Sequence, residues 1–179
     1  MSTEAPAGPR TSPRSSAITV ACVLVVAVSL TWTYLTMRSV MNVGGACADG
    51  GPYVSAQPCP DGTFLIAIAV PALIIFSMIG TVSASTVGAP NLLVPMWGVL
   101  FGSLGWNFLE YAFKGPDLVW GWLVCGVTFW VMALPAFVFM LTQLRATRSG
   151  PAVMWIPAYG VLGAAGLLFG WWSFVAIAT

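Results

Sequence analysis

Few residues in this chain could carry chemistry. Of 179 residues, six are Lys or Arg, five are Asp or Glu, and none is His. The lack of histidine removes bis-histidine haem, histidine-ligated zinc or copper, and a histidine general base. Among the acids Glu110 stands apart, because it falls inside an apolar stretch. An ionisable group in such a stretch is costly and by default points to a site with a partner. Asn107, three residues before it, and Lys114, four after, share its helical face, and Tyr111 is adjacent. Asn107, Glu110 and Lys114 would suit a proton or cation site, or a polar headgroup contact. They would equally suit an interfacial Glu110–Lys114 pair that ends the helix before Gly115 and Pro116. Glu110 lies only about one turn, ~6 Å, from that boundary, within reach of a snorkelling side chain.

The four cysteines fall into two kinds. Cys22 and Cys125 sit in apolar stretches, as small core residues do. Cys47 and Cys59 lie in the one long loop, among Gly44, Gly45, Gly50, Gly51, Pro52, Pro58 and Pro60. A disulfide between them is expected, contributing about 3 kcal/mol by restricting the unfolded chain. A thiol-redox pair would call for Cys-x-x-Cys spacing, which is absent. Asp49 and Asp61 beside the two cysteines match no metal spacing. There is no phosphate-binding glycine loop, no nucleophile with a base and no deep pair of carboxylates. No catalytic residue, cofactor or metal is therefore assigned.

The elements that hold these residues follow from composition. Apolar residues make up 59% of the chain and charged residues 6%, against about 45–50% and 25% in soluble domains. A soluble globular enzyme, a disordered protein and a nucleic-acid binder are excluded; a lipid bilayer is the expected partner. Five runs have the ~20 residues of a spanning helix: 17–37, 64–82, 92–113, 118–141 and 152–177. In lipid, backbone groups must pair internally, and these runs are too long and continuous for barrel strands, so they are helices. The first exceeds the 7–15 residue core of a signal peptide and reads as an uncleaved anchor. Residues 1–16, with Pro6, Pro9 and Pro13, read as a disordered cytoplasmic tail.

With the N-terminus inside, Arg10, Arg14, Arg145 and Arg148 are cytoplasmic and only Arg38 and Lys114 are outside, as the positive-inside rule requires. Trp32, Tyr34, Trp106, Tyr111, Trp120, Trp122, Trp171 and Trp172 then lie toward the outer ends of their helices, where aromatic rings favour the headgroup level. The expectation is a multi-pass plasma-membrane protein with a cytoplasmic N-terminus and an extracytoplasmic C-terminus. The loop 38–63 is then extracytoplasmic, where disulfides persist.

The runs also repeat. Ala69-Val70-Pro71-Ala72 matches Ala133-Leu134-Pro135-Ala136, and Pro95-Met96-Trp97-Gly98-Val99-Leu100 matches Pro157-Ala158-Tyr159-Gly160-Val161-Leu162. Chance matching in so Ala- and Gly-rich a chain is the alternative. As a genuine duplication it gives an all-α five-helix bundle: an N-terminal anchor helix and two tandem hairpins, 64–113 and 118–177, in parallel repeat. Gly98 with Gly102, Gly160 with Ala164, and Gly166 with Gly170 space small residues four apart, which lets helices approach closely. The third and fifth helices are expected to cross there. Pro71, Pro95, Pro135 and Pro157 are expected as tolerated kinks.

The stretch from Gly44-Gly45-Ala46-Cys47 through Gly50-Gly51-Pro52-Tyr53 to Cys59-Pro60-Asp61-Gly62 resembles the outer loop of uncharacterised small polytopic membrane proteins of high-GC Gram-positive bacteria. The resemblance implies a bacterial plasma membrane and brings no activity with it. Three functions fit these residues. One is a non-catalytic subunit or accessory of a larger membrane complex, acting through its outer loop and helix faces. The others are a small homo-oligomeric transporter or channel with Glu110 in its pathway, and a membrane thiol-redox enzyme using Cys47 or Cys59.

Overall fold

A computed structural model describes residues 12–47, 57–146 and 152–178. The expected tail lies, for residues 1–11, outside them, as does the middle of the long loop. The described residues form five helices: α1 (Pro13–Asn42), α2 (Leu65–Val87), α3 (Leu93–Ala112), α4 (Trp120–Ala146) and α5 (Ala152–Ala178).

Four of the helices outrun their apolar stretches. Polar side chains at a membrane surface do not stop a helix; a backbone signal does. α1 starts at Pro13, inside the segment expected as tail, because proline at the first helical position forfeits no hydrogen bond. It continues through Arg38 and Asn42, which were expected in the loop. α2 passes Ser83, Ser85 and Thr86 and ends only where Gly88 turns left-handed at φ 68°, with the Ala89 N–H donating to the Ala84 carbonyl. Asn91 Oδ1 then accepts from the Leu93 N–H at 2.7 Å and caps α3. Pro71, Pro135 and Pro157 are interior to their helices. Pro95 is not: it occupies the first turn of α3, where the N–H has no intrahelical partner to lose.

α1 is the centre. It packs on α2, α5 and α3, while α4 is carried by α3. Cys22, Val23, Val26 and Leu30 of α1 meet Leu73 of α2 and Leu92 and Met96 from the start of α3 in one buried cluster. The outer faces stay apolar: Val124, Val131 and Val138 of α4 and Val161, Leu168 and Trp172 of α5 are exposed. A helix apolar on its outward face belongs in lipid, where no polar face is required. Four helices are long and apolar enough to cross a membrane: Pro13–Asn42, Leu65–Val87, Trp120–Gln143 and Val153–Ala178. α3, with 20 residues, spans about 30 Å. It is not among those four, because it spends positions on Asn107, Glu110 and three glycines.

The glycines work differently from expectation. α3 and α5 are not neighbours among the described residues. A methyl on Gly98 would meet Ala136 at 3.3 Å, one on Gly102 would meet Phe137 at 3.2 Å, and one on Gly105 the Gly126 carbonyl at 3.1 Å, all on α4. On α5, Gly166 and Gly170 press on α1, where added methyls would lie 3.1 Å from the Leu24 and Val28 carbonyls. Gly160 faces open space and Ala164 is exposed. A small-residue stripe encodes close approach but not the identity of the partner. Each stripe here chose a different one. The two hairpins are correspondingly open: α2 and α3 touch, but among the described residues α4 and α5 do not.

Candidate functional site

Two polar stripes face each other where α1 and α3 end. On α1, Tyr34, Arg38 and Asn42 recur every four residues and so share a face. On α3, Asn107, Glu110 and Tyr111 do the same, and Lys114 follows the helix. The helices run parallel, since residues 34 to 42 of one pair in order with residues 107 to 114 of the other.

At the centre the Arg38 guanidinium grips Glu110 with two bonds. Nη1 donates to Oε2 at 2.7 Å and Nη2 to Oε1 at 2.5 Å. This fork-on-carboxylate geometry is the strongest that side chains offer and fixes orientation as well as charge. Arg38 Nη1 also lies 3.2 Å from the Tyr34 hydroxyl and 3.4 Å from Asn107 Oδ1. Asn107, which is fully buried, donates its Nδ2 to the Tyr34 carbonyl at 3.3 Å. Its amide therefore uses both ends, as a buried amide must. The Tyr111 hydroxyl donates to Asn42 Oδ1 and lies 3.4 Å from the Arg38 carbonyl. Lys114 Nζ donates to Asn42 Oδ1 at 3.2 Å and stands 4.3 Å over the Tyr111 ring, a cation–π contact.

Asn107, Glu110 and Lys114 are thus brought into one cluster. Glu110 is bound by Arg38, 72 residues away, while Lys114 reaches Asn42. The interfacial Glu110–Lys114 pair is not the arrangement found. Arg38 is the residue that sequence reasoning misses, because the apolar run ends at Met37. The available signal was its four-residue spacing from Tyr34 and Asn42 on the end of α1 that lies beside Glu110.

The arrangement leaves Glu110 little freedom. Both carboxylate oxygens accept from one guanidinium, so another partner finds only their outer lone pairs. Chemically the cluster is a clamp between two helices. Its side-chain exposure, 33% for each partner, places it at the surface of the bundle and not deep within it.

The long loop is fastened beside the clamp. Cys47 and Cys59, twelve residues apart, are joined by a disulfide with Cα atoms 4.9 Å apart. Gly45, at φ 84°, lies under Trp122, whose ring a Cβ would meet at 3.3 Å; only glycine fits both the backbone and the ring. Trp122 in turn meets Tyr111 edge-on at 6.0 Å between centroids. After the bridge, Gly62 at φ 80° abuts Phe174 and Ala178 at the end of α5. The loop's two roots thus touch α4 and α5. Neither cysteine of the bridge should react with maleimide in intact cells until reductant is added; labelling before reduction would show that the bridge does not persist.

A second polar contact lies at the opposite end. The Ser83 hydroxyl of α2 donates to the Ser15 carbonyl at 2.8 Å, and the Thr19 hydroxyl to Ser83 Oγ at 3.0 Å. Trp32 Nε1 donates to Ser173 Oγ of α5 at 3.0 Å. Each pair ties α1 to a neighbour, and neither contains an ionisable group. Comparison of the chain with protein-family models, curated proteins and solved structures finds no match, and the functional reading therefore rests on this geometry.

Proposed function

We propose that this chain is a non-catalytic integral membrane protein that serves as a subunit or accessory of a larger membrane assembly. It crosses a bacterial plasma membrane five times, with its N-terminus cytoplasmic, its C-terminus outside and α3 as the fifth span. One observation carries this reading: the only carboxylate within the apolar runs is consumed in joining α1 to α3. A transport pathway through Glu110 would need that carboxylate facing a polar route, and it faces Arg38.

The outer end then presents a pinned, disulfide-closed loop framed by Trp120, Trp122 and Tyr111. Arg14 and Arg145 mark the inner end, as the positive-inside rule prefers. The tandem hairpins remain part of this reading, supported by the matched Pro-x-aromatic-Gly-Val-Leu segments. α1 takes beside α5 the place that α4 takes beside α3.

Crosslinking of the tagged full chain in intact cells, from the outer side, tests the role. A discrete membrane protein should be recovered in fixed proportion to the tagged chain, and Glu110→Gln should not change that proportion. Recovery of this chain alone, together with a solute flux in vesicles that Glu110→Gln abolishes, would overturn the reading.

A further inference from the structure

The end of the molecule opposite the clamp holds a cavity of about 660 Å³. Val94 and Pro95 of α3, Phe139 and Met140 of α4, and Ile156 and Gly160 of α5 line its apolar part. It exists because α4 and α5 are not neighbours, although they are consecutive. Polar groups gather toward its end at the helix termini: Asn91 just before α3, and Gln143 in the last turns of α4. The Tyr159 hydroxyl is already satisfied, donating to the Pro90 carbonyl at 2.9 Å. An apolar cavity of this kind does not hold water well. In a bilayer it faces hydrocarbon on its open side.

Charge selects the occupant further. Arg145 lies in the last turn of α4, at this end of the bundle though not on the face of Gln143, and Arg14 lies in the first turn of α1 at the same end. Among the described residues, the acids Asp61, Glu110 and Asp117 all lie at the other end. Among the described residues this end therefore carries cations and no acid, a setting that attracts anionic headgroups.

We propose that the cavity is a lipid site that takes one acyl chain of an anionic phospholipid, with the headgroup at the cationic end of the bundle, beyond Gln143. The inference rests on the membrane reading above. Lipid binds here by apolar burial in the cavity and by charge at that end, and the two contributions are separable by mutation.

Gly160 provides a clean test, because a Cβ built on it meets nothing within 4 Å. Gly160→Leu projects bulk into the cavity from a position where the first added carbon meets no neighbour. Gly163 also faces open space but does not line the cavity, so Gly163→Leu is the matched control. The full chain is purified in mild detergent and exposed to phosphatidylglycerol or phosphatidylcholine, and retained lipid is counted by native mass spectrometry.

Wild type and Gly163→Leu should each retain one phosphatidylglycerol. Gly160→Leu should bind about tenfold more weakly, the equivalent of displacing roughly two methylenes. Arg145→Gln should narrow the preference for phosphatidylglycerol over phosphatidylcholine about fivefold. Equal retention by wild type and Gly160→Leu, indifference to headgroup charge, or a crosslinked second copy filling the α4–α5 gap would each overturn the lipid site. Each variant is also assayed in alkaline-washed membranes. Release of wild type from them defeats the membrane reading itself, whereas retention there with no lipid selectivity defeats only the site.

Discussion

Arg38→Ala and Glu110→Ala should each destabilise the protein by about 2–3 kcal/mol, and the double variant by clearly less than their sum. Exposed ion pairs are worth about 0–1 kcal/mol, while removing one partner of a buried pair costs about 3–5 kcal/mol. The Arg38–Glu110 pair, one third exposed and bidentate, falls between these limits. Arg38→Ala should be the worse of the two, because it also strips the Tyr34 hydroxyl and Asn107 Oδ1 of their shared donor. Coupling of about 1–2 kcal/mol in the double-mutant cycle is expected for groups in direct contact. Reversible unfolding in mixed micelles measures it. Strict additivity would mean that the two charges do not stabilise one another.

Gly166→Val should be comparably severe, at about 2–3 kcal/mol, while Gly160→Ala, six residues away on the same helix, should be neutral or stabilising by up to about 1 kcal/mol. The reason is local. A Cβ on Gly166 would sit 2.6 Å from Ala27 Cβ and 3.1 Å from the Leu24 carbonyl. Neither atom is the end of a flexible side chain, so relief requires α5 to move away from α1. Among the described residues α1 is the helix on which α5 packs, so that movement forfeits the contact that holds α5 to the bundle. At Gly160 a methyl meets open space and only relieves the entropic cost of glycine in a helix. Thermal unfolding of the two variants side by side tests the contrast. Equal effects would show that α5 is not held by its glycine contact.

These two cases mark what the sequence could and could not convey. Helix number and type were legible, because long apolar runs leave the backbone no other way to satisfy its hydrogen bonds. The Cys47–Cys59 bridge was legible from its loop. Partner choice was not. Gly98, Gly102, Gly166 and Gly170 announce close approach, and the expected α3–α5 crossing was replaced by α3 on α4 and α5 on α1. The same gap affected the polar site. Asn107, Glu110 and Lys114 share a face by helical periodicity alone, but Arg38 joins them through tertiary packing, beyond the reach of i, i+4 reasoning. Four helices run past their apolar stretches because hydropathy marks where lipid stops, while Pro13 and Gly88 mark where a helix starts or stops.

The account turns on α3. It is long enough to cross a bilayer, yet it is not among the four helices apolar enough to do so by composition alone, and its clamp to α1 makes sense at one membrane surface only if both helices arrive there from the same side. Single cysteines at Ala89, in the turn before α3, and at Gly115, just after it, can be probed with an impermeant thiol reagent in intact cells, after Cys22 and Cys125 are replaced by serine. Labelling at residue 115 and protection at residue 89 until the cells are opened is the predicted result. Labelling of both from the same side would contradict a fifth crossing and remove the membrane role assigned to the Arg38–Glu110 clamp.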